Sequence, residues 1–224
     1  MKREKLRGIE GVVFDFDGTL TEMKIDFPAI YTRVYELTVE YGVDASKLTE
    51  TYLIEVIEEV TSILGGEEGR KFYETAIKIV VTEELISAKG ASLFDGTREL
   101  ISSLREMGIK VGIVTRNCAD AVLSVYPEVE EEVDIFLPRD GVKRIKPDPL
   151  HLTEALDALG VAHRRCVMVG DHPIDIKSAI RANMIPVGVL TGHSTKEELI
   201  NAGAEIVLAD ATRLRDRMRN ISER

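Results

Sequence analysis

The chain of 224 residues has no tryptophan, two cysteines and only 5% aromatic residues. Glutamine is absent too, and asparagine is scarce. Cys118 and Cys166 lack the spacing of metal-ligating pairs, which excludes a disulfide scaffold or a cysteine zinc site and fits a reducing compartment. No apolar run approaches the roughly 20 residues that cross a bilayer. The basic start, Met1-Lys2-Arg3-Glu4-Lys5-Leu6-Arg7, is followed by no apolar signal-peptide core, so the expected location is cytoplasmic, with no membrane partner. Positive charge is in deficit: 29 Lys and Arg against 39 Asp and Glu give a net charge of −10. That balance repels a phosphate backbone, and no nucleic-acid partner is expected. There is no internal repeat or low-complexity tract. Missing glutamine beside abundant Glu, Lys, Arg, Ile and Val resembles the usage of heat-adapted proteins.

What is present, 44% hydrophobic and 30% charged residues, describes a soluble globular chain able to bury a substantial core. Its organising stretch is Val12-Val13-Phe14-Asp15-Phe16-Asp17-Gly18-Thr19-Leu20, an apolar run that breaks into two carboxylates, a glycine and a threonine. Val, Val and Phe suit a strand covered on both faces, and Gly18 lets the backbone turn close to a bound group. Two aspartates two apart at a strand end project to the same side, were the strand to continue, and such a pair calls for a cation or a shared proton.

Helical spacing then runs without a strand. Pro28 to Tyr41 reads as a helix capped by Asp26, Ser46 to Leu64 as a second ended by Gly65-Gly66, and Glu67 to Ala88 as a third. One helix suffices for a crossover in a sheet, so three read as a separate helical insert spanning 21–91. Five of the six tyrosines fall in it, with helix packing favoured over substrate contact as their role. From Leu93 the pattern alternates: helices at Thr97–Met107, Ala119–Tyr126, Pro149–Leu159 and Ile174–Ala182, strands at Lys110–Thr115, Ile135–Leu137, Cys166–Val169, Val187–Leu190 and Ile206–Leu208. This predicts an α/β core domain with a parallel sheet, spanning 1–20 and 92–224. Thr195 and Glu198 read as a capping box, and the basic stretch Arg213 to Arg219 as a solvated terminal helix.

Asp15, Asp17, Thr115 and Asp171 all fall at strand carboxyl ends, where open parallel sheets bind ligands, and Lys146 lies on a loop that could return there. Four segments carry a resemblance: Asp15-Phe16-Asp17-Gly18-Thr19, Thr115-Arg116-Asn117, Ile145-Lys146-Pro147-Asp148-Pro149 and Gly170-Asp171-His172-Pro173-Ile174-Asp175. Their order resembles the four motifs of the haloacid dehalogenase superfamily, whose members are mostly phosphatases with a Rossmann-like core and, in some, a helical cap.

The resemblance implies a phosphoric monoester hydrolase using Mg²⁺, with Asp15 as nucleophile and Asp17 as general acid and base. Thr115, Arg116, Asn117 and Lys146 would bind the phosphate, while Asp15, Asp171 and the carbonyl of Asp17 would hold the metal. Asp175 would support that shell or pair with Lys146. An aspartate at position 17 favours phosphoryl transfer over dehalogenation, since a halide leaves without a proton. The expected partner is a small phosphorylated metabolite, as in phosphoglycolate phosphatase-like members; oligomeric state is left open. A β-phosphoglucomutase-like mutase and a non-catalytic receiver-type phospho-acceptor are the alternatives. His172 and His193 read as loop residues, and Arg33, Arg70, Lys71 and Lys89 as solvated cap charges that could contact substrate.

Overall fold

The computed structural model describes residues 6–22 and 24–222, so the basic start lies outside it as far as Lys5. The chain divides into two compact units, Lys24–Gly90 and the remainder. In the first, α1 (Phe27–Glu40) is capped by the Asp26 carboxylate, which accepts from Ala29 N at 3.0 Å. Helices α2 (Leu53–Leu64) and α3 (Gly66–Ala88) form an antiparallel pair joined at Gly65. Their backbones approach closely at Gly69, where a Cβ would lie 2.5 Å from Thr61 O. The single helix expected over Ser46–Leu64 is divided. Asp44 caps a short 3₁₀ turn at Ala45–Lys47, and the Glu59 carboxylate accepts from the main-chain N–H groups of Thr49 and Glu50, which holds the intervening chain extended. Ile63, at helical spacing from the buried Val56 and Val60, is exposed.

Three of the five tyrosines here contact neighbouring groups of the unit: Tyr31 stacks on Tyr35, its hydroxyl donates to Thr51 O, and Tyr41 meets Phe72 edge-on, while Tyr73 is exposed. Arg33 pairs with Glu83, Arg70 with Glu67 and Glu74, and Lys71 with Glu67.

The second unit is a six-stranded, wholly parallel sheet flanked by helices on both faces. It contains β1 (Gly11–Phe14), α4 (Thr97–Glu106), β2 (Lys110–Val114), α5 (Ala119–Val125), α6 (Val129–Glu132), β3 (Ile135–Leu137) and α7 (Leu150–Leu159). These are followed by β4 (Cys166–Gly170), α8 (Pro173–Arg181), β5 (Ile185–Val189), α9 (Lys196–Ala202), β6 (Ile206–Leu208) and α10 (Arg213–Ser222).

Side-chain alternation along β1 assigns the layers. Val12 and Phe14 join a core with Leu100 and Leu104 of α4 and Val122 of α5, while Val13 joins one with Leu152 and Leu156 of α7 and Ala179 of α8. The terminal helix is not simply solvated: Leu214 and Met218, four apart among arginines, are buried against the first core. The capping box of α9 forms as expected.

Strand order β3-β2-β1-β4-β5-β6 decides where a ligand can sit. Successive connections run outward from β1 to β3 and then reverse to β4, so the crevice opens between the carboxyl ends of β1 and β4. Asp15 follows β1 and Asp171 follows β4 at that point, and Asp15 N donates to Val169 O at 2.8 Å.

Candidate active site

Four loops at this end of the sheet meet through side chains that are mostly buried. Lys146, 1% exposed, places Nζ at 2.7 Å from both Asp15 Oδ1 and Asp175 Oδ1. The other oxygen of Asp175 accepts from His172 N at 3.2 Å, and the His172 ring caps α8 by accepting from Ile174 N. Arg116 donates to the main-chain oxygen of Lys146. Thr115, also 1% exposed, accepts at Oγ1 from Asn117 N. The amide of Asn117 is fixed at both ends: Oδ1 accepts from Cys118 N at 2.8 Å, and Nδ2 donates to Asp17 Oδ2 at 3.0 Å. Asn117, expected at a phosphate, thus places its side chain on Asp17.

Residues not singled out in the sequence complete the frame. Thr19 donates to Asp171 Oδ1 at 3.3 Å, Thr191 donates to Gly18 O at 2.6 Å, and the buried Arg139 donates through its guanidinium to Arg116 O at 2.7 Å. Thr19 was visible as part of its motif. Thr191 and Arg139 follow no pattern that spacing could detect.

The electrostatics are those of crowded negative charge. Burial, moderated by Lys146, raises Asp15 to about 6. Burial and then the nearby charges of Asp15 and Asp175 raise Asp171 to about 8. Burial works against the charge of Lys146, but Asp15 and Asp175 more than offset it and hold the ammonium protonated.

Ligand oxygens of Asp15, Asp171 and Asp175 lie within 4.8 Å of one another, a hard-oxygen set suited to Mg²⁺. Two backbones press on Asp171 from either side. A Cβ at Gly192 would lie 1.7 Å from its Oδ2, and one at Gly18 2.6 Å from the same atom. Glycine at both positions leaves the carboxylate its place, and both oxygens of Asp175 are engaged, by Lys146 and by His172 N, whereas Lys146 takes one oxygen of Asp15, so Asp15 and Asp171 are the side chains that fit a cation. Among the described residues no helix is long and apolar enough to cross a membrane.

The chain is 28% identical over 208 residues to validoxylamine A 7′-phosphate phosphatase of Streptomyces hygroscopicus subsp. limoneus, covering 91% of this chain and 94% of that protein. It is 28% identical over 195 residues to phosphoglycolate phosphatase of Xanthomonas campestris pv. campestris, covering 84% and 86%. The fold matches the crystal structure of a β-phosphoglucomutase from Clostridium difficile with a TM-score of 0.66 and 19% identity, covering 96% of this chain and 100% of that one. The sequence model of haloacid dehalogenase-like hydrolases matches residues 12–189, most of the chain, and this protein belongs to that family.

Proposed function

We propose that the chain is a Mg²⁺-dependent phosphatase that hydrolyses a small phosphorylated metabolite through an aspartyl-phosphate on Asp15. The observation that carries this reading is Lys146, which holds Asp15 at 2.7 Å beside Asp171, a carboxyl that burial and its acidic neighbours raise to about 8. Phosphatase names among the relatives support the phosphate-ester chemistry. A phosphate monoester is anionic and repels an attacking carboxylate, so positive charge must be in place first. Mg²⁺ held by Asp15, Asp171 and the main-chain carbonyl of Asp17 would supply part of that charge.

This chain's own groups do the rest. An oxygen of Asp15 attacks phosphorus as the bond to the leaving alkoxide breaks, and Asp17 donates a proton to that alkoxide. Asp17 then takes a proton from the water that attacks the aspartyl-phosphate, which returns Asp15 as carboxylate and releases inorganic phosphate. Asn117 holds Asp17 by its outer oxygen while this happens. Lys146 and Thr115 stabilise charge on the phosphoryl oxygens. Dehalogenation is disfavoured by Asp17, which that reaction does not need. The receiver-type alternative loses its support to the family membership.

The test is phosphate release from a panel of phosphorylated metabolites with Mg²⁺, by wild type and by Asp15→Asn. Wild type should release phosphate and Asp15→Asn should not. Near-normal hydrolysis by Asp15→Asn overturns the mechanism, and conversion of a hexose phosphate to its isomer without free phosphate identifies a mutase instead.

A further inference from the structure

His151 is a fully buried histidine that plays no part in the chemistry above. It is the second residue of α7, five positions beyond Lys146. Lys146 N–H donates to its Nδ1 at 3.2 Å, so the ring proton of the neutral imidazole is on Nε2, which faces Leu137 O at 3.2 Å. Leu137 ends β3, and the same carbonyl oxygen accepts from Thr115 N at 3.1 Å.

From this chain of bonds we infer that His151 is a positioning residue for phosphoryl transfer, a rigid strut that sets Lys146 against Thr115. The inference rests on the phosphatase reading for its kinetic consequence. Lys146 reaches its carboxylates through a side chain with four rotatable bonds, so the place of Nζ depends on where the Lys146 backbone is held. In its own loop the Lys146 carbonyl is held by Arg116 and that of Pro147 by Arg181, so what the imidazole adds is the anchor on the Lys146 N–H. The imidazole spans the gap between the end of β3 and the Lys146 loop with one acceptor and one donor at fixed separation, which no aliphatic side chain can do. Burial lowers the ring to about 3, so this pattern of donor and acceptor persists at ordinary pH.

Three variants separate positioning from packing. His151→Leu fills the space and makes neither bond. His151→Asn can present an acceptor near the position of Nδ1 to Lys146 N–H, and His151→Gln can present a donor near Nε2 to Leu137 O. With 4-nitrophenyl phosphate and Mg²⁺, well below each melting temperature, His151→Leu should lower kcat roughly tenfold, about what losing two modest hydrogen bonds implies, with KM within about threefold of wild type. His151→Asn should recover most of kcat and His151→Gln should not.

Amide hydrogen exchange read by NMR gives a second answer that needs no turnover. His151→Leu should lose protection at Lys146 N–H while the amides within β1 keep theirs. Wild-type kcat in His151→Leu, equal loss in all three variants in proportion to their melting temperatures, or unchanged protection at Lys146 overturns the inference. A wild type with no Asp15-dependent hydrolysis defeats the phosphatase reading alone, and the exchange result then still decides whether His151 holds Lys146.

Discussion

Replacing Asp171 by asparagine should make the metal-free protein more stable. The Asp171 carboxyl is 2% exposed and raised from 3.8 to about 8, first by burial and then by Asp15 and Asp175. In the unfolded chain it ionises at its ordinary value. Between those two values, then, folding takes up a proton, and stability falls as pH rises through the window. Each pH unit above 3.8 costs about 1.4 kcal/mol, which sets a ceiling of about 4 kcal/mol at pH 7. An amide fits the same space, can still accept from Thr19 Oγ1, and carries no charge. In EDTA at pH 7.5, Asp171→Asn should exceed wild type by about 2–4 kcal/mol, and that margin should shrink by more than half at pH 5. Urea unfolding followed by circular dichroism suits a chain without tryptophan. Saturating MgCl₂ should narrow that margin: a hundredfold excess over Kd stabilises wild type by about 2.7 kcal/mol and the variant by less. The reasoning fails if the variant is no more stable than wild type in EDTA at pH 7.5, or if its margin is the same at pH 5.

Lys146→Met removes the cation between two buried carboxylates and should cost about 3–5 kcal/mol at pH 8, less at pH 5 where Asp15 is protonated, with turnover lost. Urea melts of Lys146→Met, Asp175→Asn and the double variant should show the double to be less destabilised than the sum of the two. Asn117→Ala withdraws a donor from Asp17. In steady-state assays kcat should fall with KM little changed, because the proton donor to the leaving group is no longer held in place. His151, lowered from 6.5 to about 3, stabilises the fold above pH 6.5, and that stability is lost as pH falls. In the Asp171→Asn background Asp15, raised to about 6, offsets part of the acid loss, so the comparison is between melts with and without His151→Asn: their change in stability from pH 6.5 to pH 5 should differ by about 2 kcal/mol.

The parts that could be read from the chain are those in which one segment carries its own signal. Three of the four motifs follow an apolar run, and the structure returns those runs as β1, β2 and β4, with Asp15, Thr115 and Asp171 just beyond their last residues. Hydrophobic period and turn residues suffice for that, because burial on both faces of a parallel sheet leaves little choice of residue. The misreadings all concern groups that act between segments. The helix expected from Ser46 was divided by Glu59 accepting from amides about ten residues earlier, a bond invisible to periodicity. In α10, arginines hid Leu214 and Met218, whose spacing of four was the available signal.

The same distinction governs the site. A carboxylate or a lysine beside a glycine announces chemistry by its type, but a strut is defined only by what it joins. Asn117 joins Cys118 N to Asp17, Arg139 holds Arg116 O, and His151 spans Lys146 and Leu137. None is unusual as a residue, yet each fixes a group whose displacement by an ångström would spoil the alignment on which phosphoryl transfer depends. Matching reactive residue types to motifs therefore identifies the reaction class, and the buried hydrogen bonds that join those motifs set how well one chain performs it.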